Sequence, residues 1–314
     1  MKLLFCVHRY FPYPGGSEYY VQAMAEEALL RGHQVAVFAG EHQGNQNGIR
    51  VSSDANILLE KWDLILVHGG DVGLQNYVLS NANHIQSKIV YMIVKPSYSA
   101  ICLQAIKDCD YVSYSTLEDI EYLKNLNAFH KGVQIRHGIK HLDSLGTSNF
   151  KTKYNIHGPM FLSCGGYWPN KALPELAAIF EEYGPKNSTL VLTGYDNRYG
   201  LMPNQTSRVK PLMINDKKDV MSAISEAEAL IMHSTAEGFG LVLLEAMINK
   251  TPWIAREIAG AKLLKNYGDT YTTDHELINI FTNWCRSTKV DLAYDYVLNN
   301  HLISNTVSDI EAIV

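Results

Sequence analysis

Short apolar runs alternate with helical stripes along most of this chain. Lys2–Val7 reads as a buried strand, and a Pro/Gly loop, Pro12–Gly16, follows it. Ser17 is the expected N-cap of a helix in which Val21, Met24, Ala25, Ala28 and Leu29 recur at one-face spacing. Arg31-Gly32 supplies the stop: a cation near the negative end of the helix dipole, then a residue free to adopt positive φ. Further strands are expected at Gln34–Ala39, Leu64–Val67, Lys88–Val94, Tyr111–Tyr114 and Val133–Arg136, with helices at Ser99–Lys107 and Leu117–Asn125. Strands alternating with helices predict a parallel, doubly wound sheet, because parallel strands need crossover connections.

From His141 to Gly158 the chain turns polar and loses periodicity. A second alternation then begins. Its strands fit Met160–Cys164, Thr189–Thr193, Ala229–Met232 and Trp253–Ala255, and its helices Leu173–Tyr183, Lys218–Ser225, Leu241–Asn249 and His275–Cys285. The pattern divides the chain into a Rossmann-like domain at 1–145, a linker at 146–158, a second Rossmann-like domain at 159–290 and a helical segment at 291–314 that packs back on the body. No repeat or low-complexity tract interrupts it.

Composition agrees with two cores. The chain has 314 residues, 46% of them hydrophobic and 19% charged, against ~150 residues for one ordinary domain. A net charge of -5 argues against a nucleic-acid binder. Cys6, Cys102, Cys109, Cys164 and Cys285 form neither a CxxC pair nor a zinc or disulfide pattern, and they read as reduced core residues. The N-terminus lacks the apolar length of a secretory leader, and no run approaches the ~18 apolar residues of a membrane span. These features fit a cytoplasmic protein and leave open peripheral contact with the cytoplasmic face of a membrane. No metal-spaced cluster is visible, so neither metal nor cofactor is expected. The first strand leads into P-Y-P-G-G-S-E rather than G-x-G-x-x-G, which sets aside a dinucleotide-dependent oxidoreductase.

The segment Ser234–Met247 carries the most chemistry. Gly238 and Gly240 stand between the strand Ala229–Met232 and the helix that follows. Glycines at such a turn let backbone N–H groups approach a ligand, and the helix N-terminus adds unpaired donors, a natural phosphate site. Glu237 lies in the turn. Glu245 lies within the apolar helix, where an unpaired buried carboxylate is costly. A ribose diol would satisfy it, since an ionised carboxylate accepts two hydrogen bonds. The alternative is a Glu245 that simply faces solvent.

The run E-G-F-G-L-V-L-L-E-A-M, preceded by Ser234 and followed by Pro252-Trp-Ile-Ala and Gly260, resembles glycosyltransferase family 4, retaining enzymes of GT-B fold with two Rossmann-like, doubly wound domains facing a cleft. Glu237 and Glu245 match the family's E-x7-E pair. The resemblance implies Glu237 near the donor sugar and diphosphate, Glu245 on the ribose, and the Gly238, Phe239, Gly240 and Leu241 backbone on the phosphates. Four other segments match in order. Pro14-Gly15-Gly16-Ser17-Glu18 is similar to the family's N-terminal glycine loop, which implies that Gly15 and Gly16 face the donor phosphates; the alternative is a plain tight turn. In Trp62–Gly69, His68 stands just past a strand end, where open α/β sheets bind ligands, and is the candidate catalytic histidine beside Lys171 and Glu237, the alternative being a structural histidine. Cys109–Ser115 matches an architectural strand. Ser163–Lys171 resembles the family's diphosphate clamp, with Gly165 and Lys171 in place.

The chain also departs from the family. Gly166 stands where the clamp has an Arg, with Arg198, Arg208 and Arg256 as conceivable substitutes. Lys95-Pro96 stands where many members carry a catalytic-site His, and Arg136–Lys140 replaces the usual N-G-v-D. What the resemblance implies is a metal-independent hexosyltransferase that acts with retention. It would take a nucleotide-sugar donor, with the backbone near Lys210–Met213 as the candidate contact for its base, and an acceptor that is a glycan, a lipid-linked sugar or a small molecule. Tyr10, Tyr13, Tyr19 and Tyr20 near the glycine loop could form a sugar platform or belong to core and surface. The rivals are a non-catalytic nucleotide-sugar-binding or accessory protein and, with Asp54 and Asp71 as loose carboxylate candidates, a nucleotide-sugar 2-epimerase.

Overall fold

The structure, a computed structural model, describes all residues except 14, 41–42, 70–71, 142, 144 and 148. Pro14 of the glycine loop and Asp71 thus lie outside the described residues. The chain folds into two compact units. One comprises Met1–Ile139 and His301–Val314, the other Lys140–Asn300.

The first unit runs β1 (Lys2–Val7), α1 (Gly16–Leu30), β2 (Gln34–Ala39), β3 (Gly44–Gln46), β4 (Ile49–Ser52), β5 (Leu64–His68), α2 (Val72–Ser80), β6 (Lys88–Met92), α3 (Ala100–Asp108), β7 (Tyr111–Tyr114), α4 (Leu117–Asn125) and β8 (Gly132–Gln134). The second runs α5 (Phe150–Lys153), β9 (Met160–Cys164), α6 (Leu173–Tyr183), β10 (Thr189–Gly194), β11 (Val209–Met213), α7 (Lys217–Glu226), β12 (Ala229–Met232), α8 (Leu241–Ile248), β13 (Trp253–Arg256), α9 (Ala259–Leu264), β14 (Asp269–Tyr271), α10 (Asp274–Thr282) and α11 (Val290–Asn300). The last helix, α12 (Ile303–Glu311), belongs to the first unit.

The first sheet has the order β3-β4-β2-β1-β5-β6-β7-β8 and the second β11-β10-β9-β12-β13-β14. All pairings are parallel but the β3–β4 hairpin. In each sheet the chain winds outward from one strand, returns beside it and winds the other way. Strand order therefore reverses between β1 and β5, and again between β9 and β12. In open α/β sheets such a switch point leaves a crevice outside the carboxyl ends of the strands, where ligands bind. Burial on both faces explains why the central strands read as unbroken apolar runs: Leu3–Val7 and Leu64–Val67 are buried throughout. In the second unit, Phe161, Phe180, Phe281 and Trp284 pack ring against ring and hold α6 and α10 on the sheet.

Several expectations need correction. Helix α1 begins at Gly16, and its N-cap is Gly15 in extended conformation with no side-chain cap, so Ser17 is the second helical residue and caps nothing. The stop is as read: Gly32 takes φ +83°, and His33 N donates to Ala28 O at 3.1 Å. Within the segment expected as a linker, residues 150–153 form α5. The Glu226 carboxylate at the end of α7 accepts from the backbone N–H of Asn149, Phe150 and Lys151, which ties α5 to the second unit. The segment 291–314 divides, with α11 packed on α8 and α12 packed on α1. There Arg136 makes a bidentate pair with Asp309 at 2.6 and 2.9 Å, and Arg31 reaches Glu311 at 2.8 Å. Arg136 is consequently not in a strand. Strand β11 escaped the pattern altogether.

Candidate active site

In the second unit, β9 ends at Cys164 and the chain turns at Gly165 with φ +142°. The stem of Lys171 crosses that glycine. A Cβ on Gly165 would stand 3.0 Å from Lys171 Cε. From the neighbouring strand β12 the chain passes through His233 into the turn that bears Glu237. Lys171 Nζ meets Glu237 Oε1 at 2.5 Å, with both side chains largely buried. Ser234 Oγ donates to the same oxygen at 2.6 Å. Two more bonds stitch the loops together. Thr235 N donates to Asn170 O at 2.8 Å, and Asn170 Nδ2 to Ala236 O at 3.0 Å. The strand reversal thus brings into contact two loops that lie 66 residues apart.

The turn then delivers a helix N-terminus. Phe239 is buried and accepts Gly260 N at 3.1 Å, which anchors the turn from below. Gly240 adopts φ +89°, and a Cβ there would meet Met232 Sδ at 2.7 Å. No side chain caps α8, whose first residue is Leu241, so its first backbone N–H groups are available to an anion. One turn further in, burial raises the Glu245 carboxyl above its ordinary value, opposed by Lys217 with Nζ 4.0 Å from Oε1. Burial also pushes the Cys164 thiol up to about 12. Glu245 adds to that effect and Lys171 opposes it, so Cys164 lies within electrostatic reach of both. Gly165, Lys171, Glu237, Gly238, Phe239, Gly240, Leu241 and Glu245 therefore gather at the carboxyl ends of β9 and β12.

Gly166 has a physical reason. The Trp168 indole lies over it, and a Cβ would come 2.5 Å from the ring, so any side chain there must displace Trp168. Of the conceivable substitute cations, Arg208 is spent at the opposite rim on the carbonyls of Glu181, Gly184 and Pro185. Arg198 pairs with Asp196 at 2.5 Å. Arg256, at the carboxyl end of β13, pairs with Asp274 at 3.0 Å and approaches His233 Nε2 at 3.4 Å. Sequence reasoning missed His233. It is buried, bonded through Nδ1 to the Tyr271 hydroxyl at 2.6 Å, and lowered to about 4 by burial and then by Arg256. Its only local signal is a polar residue continuing a buried strand.

In the first unit, Gly15, Gly16 and His68 stand at the carboxyl ends of β1 and β5. Gly15 is buried because the Glu18 carboxylate folds against it, leaving no room for a Cβ. Burial raises the Glu18 carboxyl. The N-terminus of α1 thus already holds an acidic side chain. Gly16 is exposed, with open space where a Cβ would stand. His68 is the last residue of β5, buried, and lowered to about 4 by that burial. It meets the Tyr20 ring edge-on at 6.5 Å, and Tyr20 stacks on His137 at 5.0 Å. His137 falls to about 3 through burial and the nearby His68 and His301. The Arg136–Lys140 stretch serves to dock the last helix: Arg136 holds Asp309, and His301 Nδ1 donates to His137 O at 2.7 Å. Lys95 is exposed in the loop after β6. Among the described residues no three His, Cys, Asp or Glu side chains form a metal-binding set. None of their helices is long and apolar enough to cross a membrane.

Comparison with known proteins bears on the second unit above all. Residues 158–278 match the family model for Glycosyl transferases group 1, a segment holding every second-unit residue named for the site. No curated protein sequence matches the chain. Among solved structures, Anabaena HepE in complex with UDP and glucose is similar at TM-score 0.79 and 18% identity, covering 100% of this chain and 99% of that one. Sucrose-phosphate synthase from Thermosynechococcus elongatus gives TM-score 0.78 and 16% identity, over 99% and 98% of the two chains. WaaG, a glycosyltransferase of lipopolysaccharide biosynthesis, gives 0.73 and 16%, over 99% of each. At these identities the likeness establishes the fold, and the fold of this chain is GT-B.

Proposed function

We propose that the protein is a glycosyltransferase that takes a sugar from a nucleoside diphosphate sugar, with retention and without a metal, and passes it to a glycan, a lipid-linked sugar or a small molecule. The observation that carries this reading is the Lys171–Glu237 contact beside the uncapped N-terminus of α8, with the largely buried Glu245 one turn deeper. The group 1 family match over this segment and the UDP and glucose bound by HepE support it.

The chemistry follows from where charge develops. As the glycosidic bond breaks, the leaving diphosphate gains negative charge. Lys171 and the α8 backbone N–H groups offer it a preorganised positive environment, which lowers the barrier without rearrangement at the moment of reaction. Glu237, held by Lys171 and Ser234, is aimed for hydroxyls of the donor sugar. Glu245 accepts the ribose diol. With no carboxylate assigned as nucleophile, retention proceeds by attack on the leaving-group face, the departing phosphate taking the acceptor's proton. In the first unit, His68 is the proposed acceptor-side group, a neutral imidazole down to about pH 4.

Release of UDP from UDP-glucose by slow transfer to water tests this without a known acceptor. The wild type is expected to turn over in the presence of EDTA, and Lys171→Met to lose at least about tenfold, one charge-assisted hydrogen bond's worth. Turnover that EDTA abolishes would contradict the metal-free reading, and turnover that Lys171→Met leaves unchanged would contradict the role of the lysine. The Trp168 indole over Gly166, where a second clamp cation would stand, favours a second reading as a non-catalytic nucleotide-sugar-binding protein. That reading expects UDP-glucose to bind and not to be cleaved.

A further inference from the structure

Glu245 differs from Glu237 in how it meets its cation. Glu237 is directly hydrogen-bonded to Lys171 at 2.5 Å and to Ser234. The Glu245 carboxylate accepts no side-chain or backbone hydrogen bond among the described residues. The charged neighbour that acts on it, Lys217, stands at 4.0 Å, close enough to act by charge and too far to occupy a lone pair. The carboxylate is thus desolvated, charge-supported and open to hydroxyl donors.

Its other neighbours leave that arrangement intact. Helix α8 packs on α7, α11, β12 and β13. Lys217 is the first residue of α7. On α11, Asp291 pairs with Lys250 at 2.7 Å, and the charges of Asp291 and Asp295 and the Tyr294 ring are felt at Lys250. Beyond β12, His233 is engaged with Tyr271, and at the end of β13 Arg256 is engaged with Asp274. From β9, the Cys164 thiol feels Glu245 and stays neutral. On α8's own side, Asn249 Nδ2 bonds the backbone carbonyl of Glu245 and not its carboxylate.

We propose that Lys217 is a positioning residue that keeps Glu245 ionised, so that its free oxygens accept the ribose hydroxyls of the bound nucleotide. This rests on the donor-site reading above. Burial drives a carboxyl toward its neutral form, which is a poorer acceptor for a diol, and an opposite charge at this range works against burial. The direction follows. Burial raises the Glu245 carboxyl and Lys217 restrains the rise, so removing Lys217 lets it rise further and weakens nucleotide binding first at acid pH.

The test is calorimetric binding of UDP, GDP and ADP between pH 5 and 8 by wild type, Lys217→Met, Lys217→Arg and Glu245→Gln. Glu245→Gln binds more weakly at neutral pH and supplies the background from titration of the nucleotide phosphate. Relative to that background, wild-type affinity falls on the acid side, and Lys217→Met moves this fall upward by about one to two pH units. Affinity at pH 8 stays within about threefold of wild type for an effect carried by ionisation alone, and Lys217→Arg restores the wild-type profile. Equal weakening of Lys217→Met at every pH would overturn the proposal while the donor-site reading stood, because the lysine would then touch the nucleotide or hold the fold. If wild type binds none of the three nucleotides, or Glu245→Gln binds as tightly as wild type, the donor-site reading fails and this inference with it.

Discussion

Gly240 shows how one backbone angle decides the site. Its φ of +89° aims the turn into α8, and a methyl group there would press on Met232 Sδ. Gly240→Ala is expected to cost about 1–3 kcal/mol, the usual range for a strained left-handed residue. Gly16 lacks both constraints, with open space at its Cβ and an exposed helical position. Gly16→Ala is therefore expected to be neutral or to gain up to about 1 kcal/mol from helix propensity. Urea unfolding of both variants checks the contrast, and equal losses would contradict it. Glu237 and Glu245 stand out in the sequence because one sits in a glycine turn and the other interrupts an apolar helix, whereas Lys171 is marked only by the family resemblance; the structure brings Lys171 and Glu237 into contact. Trp168 over Gly166, Tyr271 on His233 and Lys217 beside Glu245 were not legible in the sequence. Each is a contact between separate loops or elements, and no local spacing encodes it. Ser17 shows the opposite failure, a good capping residue displaced because Glu18 folds back on Gly15 and the helix starts two residues earlier than a Ser17 cap would place it.

Elements were legible where a strand is buried on both faces, as in β1, β9 and β12, since nothing polar breaks the run. Edge elements were harder. Strand β11 carries Pro211, which argues against a central strand but is tolerated at the sheet edge that β11 occupies. The β3–β4 hairpin turns on Asn47 and Gly48 at φ +52° and +83°, the left-handed pair that a two-residue hairpin demands. That Asn-Gly signal was present, but the strands beside it are too short and polar to show alternation. Helix α5 is only four residues long. It exists because Glu226 satisfies three of its N-terminal N–H groups, a bond across 75–77 residues. The departure of α12 from α11 was hidden for the same reason, its place being fixed by Asp309 on Arg136 and Glu311 on Arg31 and His33.

At the scale of the whole molecule, both units use one device: a sheet whose strand order reverses, with the glycine-rich connection placed at the reversal. Both also bury neutral histidines, and this gives stability a pH dependence with a definite sign. His68 and His233 are lowered to about 4 and His137 to about 3, all mainly by burial. In the unfolded chain they take up protons near pH 6.5, so their contribution is complete above that pH and is lost as pH falls toward 4. Each loses about 1.4 kcal/mol per pH unit in that window. The raised Glu18 and Glu245 carboxyls act in the opposite direction, but they are fewer. The urea midpoint at pH 5 is expected to lie well below that at pH 7.5, and an equal or higher midpoint at pH 5 would contradict the burial of neutral imidazoles.

The proposed function requires that the crevice at β9 and β12 hold a nucleoside diphosphate sugar, with Glu245 on the ribose. Calorimetric titration with UDP, GDP, ADP and their glucose conjugates at pH 7.5, for wild type and Glu245→Ala, tests it most directly. Selective binding of one nucleotide by wild type is expected, with at least a tenfold loss in Glu245→Ala, about 1.4 kcal/mol or more. Absence of binding to any of them, or binding that Glu245→Ala leaves unchanged, would contradict it.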